Sequence, residues 1–184
     1  MEDRRAPKTI LFRDESPFTI DHPTELELDG RLYDSVRHYA VCRKRQVLTP
    51  GVPELPQGLT TLELRALSIE AWVVAPSAQR EAWDAVARDV MMRANLAKFA
   101  DDLKLRAQLL LTEDAVLGFA DPDDLRWGIG LEASDPRARD PRDWPGTNWL
   151  GSVLTALRQH LTVMNSGGAS RRGHPQPELD VRAG

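Results

Sequence analysis

Cysteine is nearly absent from this chain of 184 residues, Cys42 being the only one, so no internal disulfide can form. One cysteine among four histidines also makes no zinc spacing, and no metal or cofactor is expected. Long apolar runs are missing too. The longest uninterrupted one, Ala71-Trp72-Val73-Val74-Ala75, falls far short of the roughly 20 residues that a membrane span requires. The opening residues, Met1-Glu2-Asp3-Arg4-Arg5, are followed by no apolar segment of the signal-peptide type, so a cytoplasmic location without membrane contact is the expectation. Basic excess is lacking as well: 24 Lys and Arg against 28 Asp and Glu give a net charge of −4, which argues against extended binding to a phosphate backbone. No internal repeat is visible.

What is present fits one compact domain with 41% hydrophobic residues. Residues 165–184 read NSGGASRRGHPQPELDVRAG, too poor in apolar side chains to offset their ordering entropy, and are expected to be a disordered tail. Residues 1–7 are similar, leaving a folded body over 8–164. Within it, Glu25 to Tyr33 alternates polar and apolar residues across Asp29-Gly30, which predicts a hairpin. Asp34 or Ser35 can cap a helix running through His38 to Arg43-Lys44-Arg45, and the proline-rich stretch 50–56 breaks the chain. A second helix is predicted over Thr60–Val74, with Leu62, Leu64, Leu67 and Ile69 as its apolar surface. The clearest helix runs from Ala78 to Phe99, because Trp83, Val86, Ala87, Val90, Met91, Ala94 and Ala97 recur at intervals of three and four. Further helices fit Asp102–Leu111 and Asn148–Leu161, the latter lined by Leu150, Val153, Leu154, Leu157 and Leu161 and capped by Thr147 or Asn148. The fold class is therefore α+β, mainly helical, with about six helices around a central one and a short β-hairpin.

The motifs from Trp83 onward are more specific than the periodicity. Trp83-Asp84-Ala85-Val86, Val90-Met91, Ala97-Lys98-Phe99, Leu109 to Thr112, Asp124-Leu125-Arg126-Trp127-Gly128-Ile129-Gly130, Gly146-Thr147-Asn148-Trp149-Leu150-Gly151 and Leu157-Arg158 follow one another in an order and spacing that resembles the NADAR family, also called YbiA-like. Weaker matches precede them: Pro17-Phe18-Thr19 for PFSN, Asp29-Gly30 for a DG turn, and Arg37-His38-Tyr39 through Lys44 for EHY and a following lysine. The resemblance covers residues 12–160 and implies a NADAR-type single domain. It also implies hydrolysis of an N-glycosidic bond, on phosphoribosylated pyrimidine intermediates of riboflavin synthesis or on ADP-ribosylated guanine. The implied partners are thus small ribosylated bases or an ADP-ribosyl guanine.

Such a reaction requires a charged group for the leaving base or the oxocarbenium-like sugar, an aromatic wall for the base, and cations for phosphate. A lysine amine attacking the anomeric carbon is a further route. The resemblance places Asp124 and Lys44 in the catalytic roles, and Trp83, Trp127, Gly128, Arg37, His38, Lys98 and Asn148 around the substrate. Lys44 and Lys98 are half of only four lysines in a chain that otherwise uses arginine, and lysine alone of the two can present a neutral amine at ordinary pH. Each position also has a plain structural alternative: Trp83 in the core, Asp124 as a cap or turn residue, Lys98 snorkelling from a helix end, His38 as a satisfied half-buried histidine.

Four positions depart from the family pattern. Arg37 stands where the family has the Glu of EHY, implied to act on the glycosidic bond; Ile20 replaces the Asn of PFSN; Phe119 replaces a Glu; and Trp72-Val73 falls where the family has Gly-Arg. The stretch 132–145 is longer than the family's usual link, either a lid bringing Arg137, Arg139 or Trp144 to the substrate or an inert insertion. These departures leave three readings open: an N-glycosidase with a rearranged site, a catalytically degenerate module that binds nucleotide or ADP-ribose, and a secondary-pathway enzyme acting on a modified purine or pyrimidine ribotide.

Overall fold

The structure is a computed structural model and describes residues 8–170. The expectations for residues 1–7 and for 171–184 lie outside that range.

The hairpin is present. Strand β2 (Leu26–Leu28) pairs antiparallel with β3 (Arg31–Tyr33), and the turn between them places Asp29 at φ 56° and Gly30 at φ 72°, the left-handed pair that Asp-Gly supplies with least strain. Helix α1 (Val36–Leu48) starts at Ser35, whose Oγ accepts from the amide of His38, so Ser35 rather than Asp34 is the cap. Helix α2 (Thr61–Val74) opens with a reciprocal capping box between Thr60 and Glu63. Helix α3 (Ser77–Asp101) is the central element and packs against α1, β2 and two later helices, α4 (Leu103–Leu110) and α5 (Trp149–Ser170). Asp102 caps α4 by accepting from the amides of Lys104 and Leu105. These five helices are one fewer than the sequence predicts, and α5 continues past the boundary drawn at residue 164.

A second strand pair was not expected. Strand β1 (Thr9–Phe12) lies parallel to β4 (Val116–Phe119), with Phe12 opposite Phe119 and their rings stacked at 5.6 Å. Both strands are only four residues long and carry no alternating pattern, which is why neither stands out in the sequence. The pair packs on α5, whose predicted stripe of Leu150, Val153, Leu154, Leu157 and Leu161 is buried throughout. The stretch 132–145 forms two short 3-10 turns. Its Trp144 anchors to the carbonyl of Ala138 at 2.9 Å and covers Leu11 and Gly118, behind the strand pair.

Two predicted apolar faces come out differently. On α3 the buried line is Trp83, Ala87, Met91, Ala94 and Lys98, while Val86 is turned to solvent. On α2 only Leu64 and Ala71 are buried; Leu62 and Ile69 are exposed because α2 lies chiefly on α1, with its outer side open.

Candidate active site

The periodicity of α1 brings Arg37, Ala40, Val41 and Lys44 onto one face, and that face is the floor of a cleft of about 420 Å³. Arg65, Ser68 and Ile69 of α2 form one wall. Trp83 and Met91 of α3, Phe119 at the end of β4, and Leu150 of α5 form the back. The loop after β4 supplies the opposite wall through Asp121, Asp123, Asp124 and Trp127. Cations on α1 and α2 therefore face carboxylates across an apolar and aromatic interior. A larger hollow of about 600 Å³ lies between residues 23–25 and the α3–α4 junction, but no aromatic side chain lines it.

Of the residues singled out in the sequence, Arg37, Lys44, Trp83, Asp124 and Trp127 meet in this cleft. The remaining four do not line it. His38 is buried: its Nδ1 accepts from the amide of Asp34 at 3.2 Å and its Nε2 faces the carbonyl of Leu55 at 3.4 Å. Lys98 is 1% exposed, and its ammonium donates to the carbonyl of Thr19 at 2.8 Å, tying α3 to the loop between β1 and β2. Asn148, at φ 48°, donates to the carbonyl of Leu117 and accepts from the amide of Phe119, so it grips β4 as a neighbouring strand would. Gly128 is buried, and only glycine fits there because a Cβ would meet the carbonyl of Asp124 at 2.8 Å. Gly151 is tighter still, its absent Cβ lying 2.0 Å from the carbonyl of Leu117. Much of the C-terminal motif set thus serves to pack the 124–130 loop and α5 onto β4. None of Arg137, Arg139 and Trp144 lines the cleft.

Lys44 has the environment of a reactive amine. Burial, then the charge of Arg126 and more weakly that of Arg37, push it down to about 8 against a partial counterweight from Asp84. Its Nζ donates to Oγ of Ser68 at 2.8 Å and lies 5.3 Å from the ring centre of Trp72. Asp124 is half-buried and divided in function. Its Oδ1 accepts from the amides of Arg126 and Trp127 at 3.0 and 2.7 Å, which fixes the turn, while no hydrogen bond from the described residues engages Oδ2. The indole of Trp127 meets that of Trp149 edge to face at 5.4 Å, and Trp149 is itself flanked by the guanidinium groups of Arg88 at 3.9 Å and Arg126 at 4.7 Å. Trp83 belongs to the core as well as the cleft, packed with Leu48, Ala71 and Ala87.

Several residues in and beside the cleft escape a sequence reading. Arg37 is held by both oxygens of Asp21, the second at 2.8 Å, and Arg65 approaches the same carboxylate at 3.5 Å. Burial pushes the Asp21 carboxyl up, but the Arg37 hydrogen bonds and the charges of Arg37 and Arg65 outweigh it, so the group sits below the usual carboxylate range. Arg65 and Ser68 of α2 and Asp21 of the β1–β2 loop carry no motif, since they are gathered only by tertiary packing around α1. Three of the four departures from the family pattern, Ile20, Arg37 and Phe119, line the cleft, and Trp72 of the fourth lies beneath Lys44. Among the described residues no three His, Cys, Asp or Glu side chains converge as a metal site, and Cys42 is a buried thiol pushed up to about 11 by desolvation. No helix of the described residues is long and apolar enough to cross a membrane.

The NADAR domain family model matches residues 4–162. Protein irg-1 of Caenorhabditis elegans is 38% identical over 104 residues, which cover 56% of this chain and 49% of that protein. N-glycosidase R617 of Acanthamoeba polyphaga mimivirus is 36% identical over 77 residues, covering 42% and 45%. The chain thus spans about half the length of these relatives. The NMR structure of the Escherichia coli protein YbiA superposes with a TM-score of 0.67 at 23% identity, covering 95% of this chain and 93% of the other, which establishes a shared fold.

Proposed function

Since this chain belongs to the NADAR domain family, we propose that it is an N-glycosidase cleaving the bond between a ribose phosphate or ADP-ribose and a nucleobase-like group. The observation that carries this reading is the meeting of Arg37, Lys44, Asp124 and two tryptophans in one cleft. Hydrolysis breaks the bond from C1′ to nitrogen, adds water oxygen to C1′ and delivers a proton to the departing nitrogen. In this reading the free oxygen of Asp124 stabilises positive charge at C1′, the indoles of Trp83 and Trp127 wall the base, and the one guanidinium nitrogen of Arg37 that Asp21 leaves open receives a phosphate oxygen. With its amine at about 8, Lys44 is unprotonated in roughly a tenth of molecules at neutral pH, enough to take a proton from water or to attack C1′ itself. The exchange of a family Glu for Arg37 moves the substrate toward an anionic group at that spot.

The same exchange favours a second reading, a degenerate module that binds nucleotide or ADP-ribose without cleaving it, because Arg37 neither takes nor gives a proton at neutral pH. Incubation with phosphoribosylamino-pyrimidines and with ADP-ribosylated guanosine, followed by chromatography, separates the two. Release of free base supports the enzyme. Binding of ADP-ribose without release from any of these substrates supports the module.

A further inference from the structure

The sequence places Leu62 and Ile69 on the apolar surface of α2, yet in the fold they are 77% and 63% exposed, and Val73 is 69% exposed. With the exposed Ala66 they fall at spacings of four, three and four, so they share one stripe along the outer side of α2. A ridge of this kind on a helix that rests chiefly on one neighbour marks an interaction surface. Its spacing is that of a coiled-coil seam, with Leu62 and Ile69 at the d positions and Ala66 and Val73 at the a positions.

The flanks of the stripe choose both the partner and its direction. Arg65 then occupies a g position, while Glu63 and Glu70 occupy e positions. In a parallel pair of identical helices a g residue faces the e residue five further along the other chain, which sets Arg65 against Glu70 twice by symmetry. In an antiparallel pair, e faces e and g faces g, bringing glutamates together and arginines together, which is repulsive. The inner side of α2 carries the domain body, so an axis running along the seam leaves the two bodies on opposite sides. We propose that α2 is a dimerisation helix, the stripe Leu62, Ala66, Ile69 and Val73 packing in parallel on the same stripe of a second copy, with Arg65 of each chain paired to Glu70 of the other. Because Arg65 and Ile69 also line the cleft, the second copy borders its entrance.

Two heptads make a small interface, so association is sought by sedimentation from about 10 µM to about 500 µM. The full chain is expected to approach twice its monomer mass at the upper end. Leu62→Glu and Glu70→Arg are each expected to return it to monomer, with circular dichroism confirming the fold, and the swap R65E/E70R is expected to restore the dimer. Direction is read by oxidation: Leu62→Cys is expected to cross-link to itself in high yield, since Cys42 is buried and does not compete. A monomer at every concentration overturns the proposal. So does a dimer indifferent to Leu62→Glu and Glu70→Arg, or a Leu62→Cys chain that cross-links only to a Val73→Cys chain, the mark of antiparallel pairing.

Discussion

Arg37 holds both carboxylate oxygens of Asp21, so a cation on α1 and an anion from the β1–β2 loop neutralise each other beside the cleft. The side chains are 15% and 21% exposed, dry enough for the pairing to matter. Removing Arg37 leaves Asp21 with Arg65 at 3.5 Å as its remaining cation.

Asp21→Asn is therefore expected to cost about 1–3 kcal/mol near neutral pH, read by urea unfolding. The folded-state pKa of Asp21 lies below its ordinary 3.8, so its stabilisation is present above 3.8 and is lost as pH falls through the lower, folded value. The gap between wild type and variant is expected to close in acid.

Lys44→Arg keeps the positive charge and removes access to a neutral amine. If Lys44 works unprotonated, kcat rises with pH along a limb centred near its value of about 8, and the arginine variant loses both the limb and about 100-fold or more in rate. A variant with an unchanged pH profile would place Lys44 among binding residues only.

Asp124 can be tested one oxygen at a time. Asp124→Asn retains an acceptor for the amides of Arg126 and Trp127, so it is expected to fold normally and to lose about 100- to 10,000-fold in turnover. Asp124→Ala also loses the turn, and a drop of about 1–2 kcal/mol in unfolding free energy is expected. Equal turnover in the asparagine variant and wild type would remove the carboxylate from the chemistry.

Lys98 predicts a slope of the same sense in stability, but in a higher range of pH. Burial pushes its ammonium down to about 7 against an ordinary 10.5, so between those values the unfolded chain binds more protons than the folded one. Stability is then least below about pH 7 and grows as pH rises toward 10.5, by a few kcal/mol at most. Lys98→Met is expected to flatten that rise, as measured by denaturant midpoints across the range.

Helix positions were legible because propensity and capping are local: Ser35, the Thr60–Glu63 box and Asp102 each announce a helix within a few residues. Which side of a helix is buried is a different matter. Leu62 and Val86 match the apolar periodicity of their helices, yet a sequence does not say whether a neighbour arrives on that side. The cleft divides in the same way. Lys44, Trp83, Asp124 and Trp127 were found through motif order, whereas Asp21 and Arg65 lie 44 residues apart and meet only through tertiary packing. The tie of Asn148 to β4 is not legible because that strand carries no pattern: a polar side chain in a motif looks alike whether it holds a ligand or a strand.

The parallel pairing of Thr9–Phe12 with Val116–Phe119 has a consequence for biogenesis. As the chain leaves the ribosome, its first strand emerges long before the segment it must join has been translated, and helices α1 to α4 are all made in the interval. The leading strand therefore waits without its companion until residues 116–119 have emerged. Ribosome-stalled chains ending before residue 116 should accordingly leave Phe12 open to protease, and chains long enough to expose β4 should not.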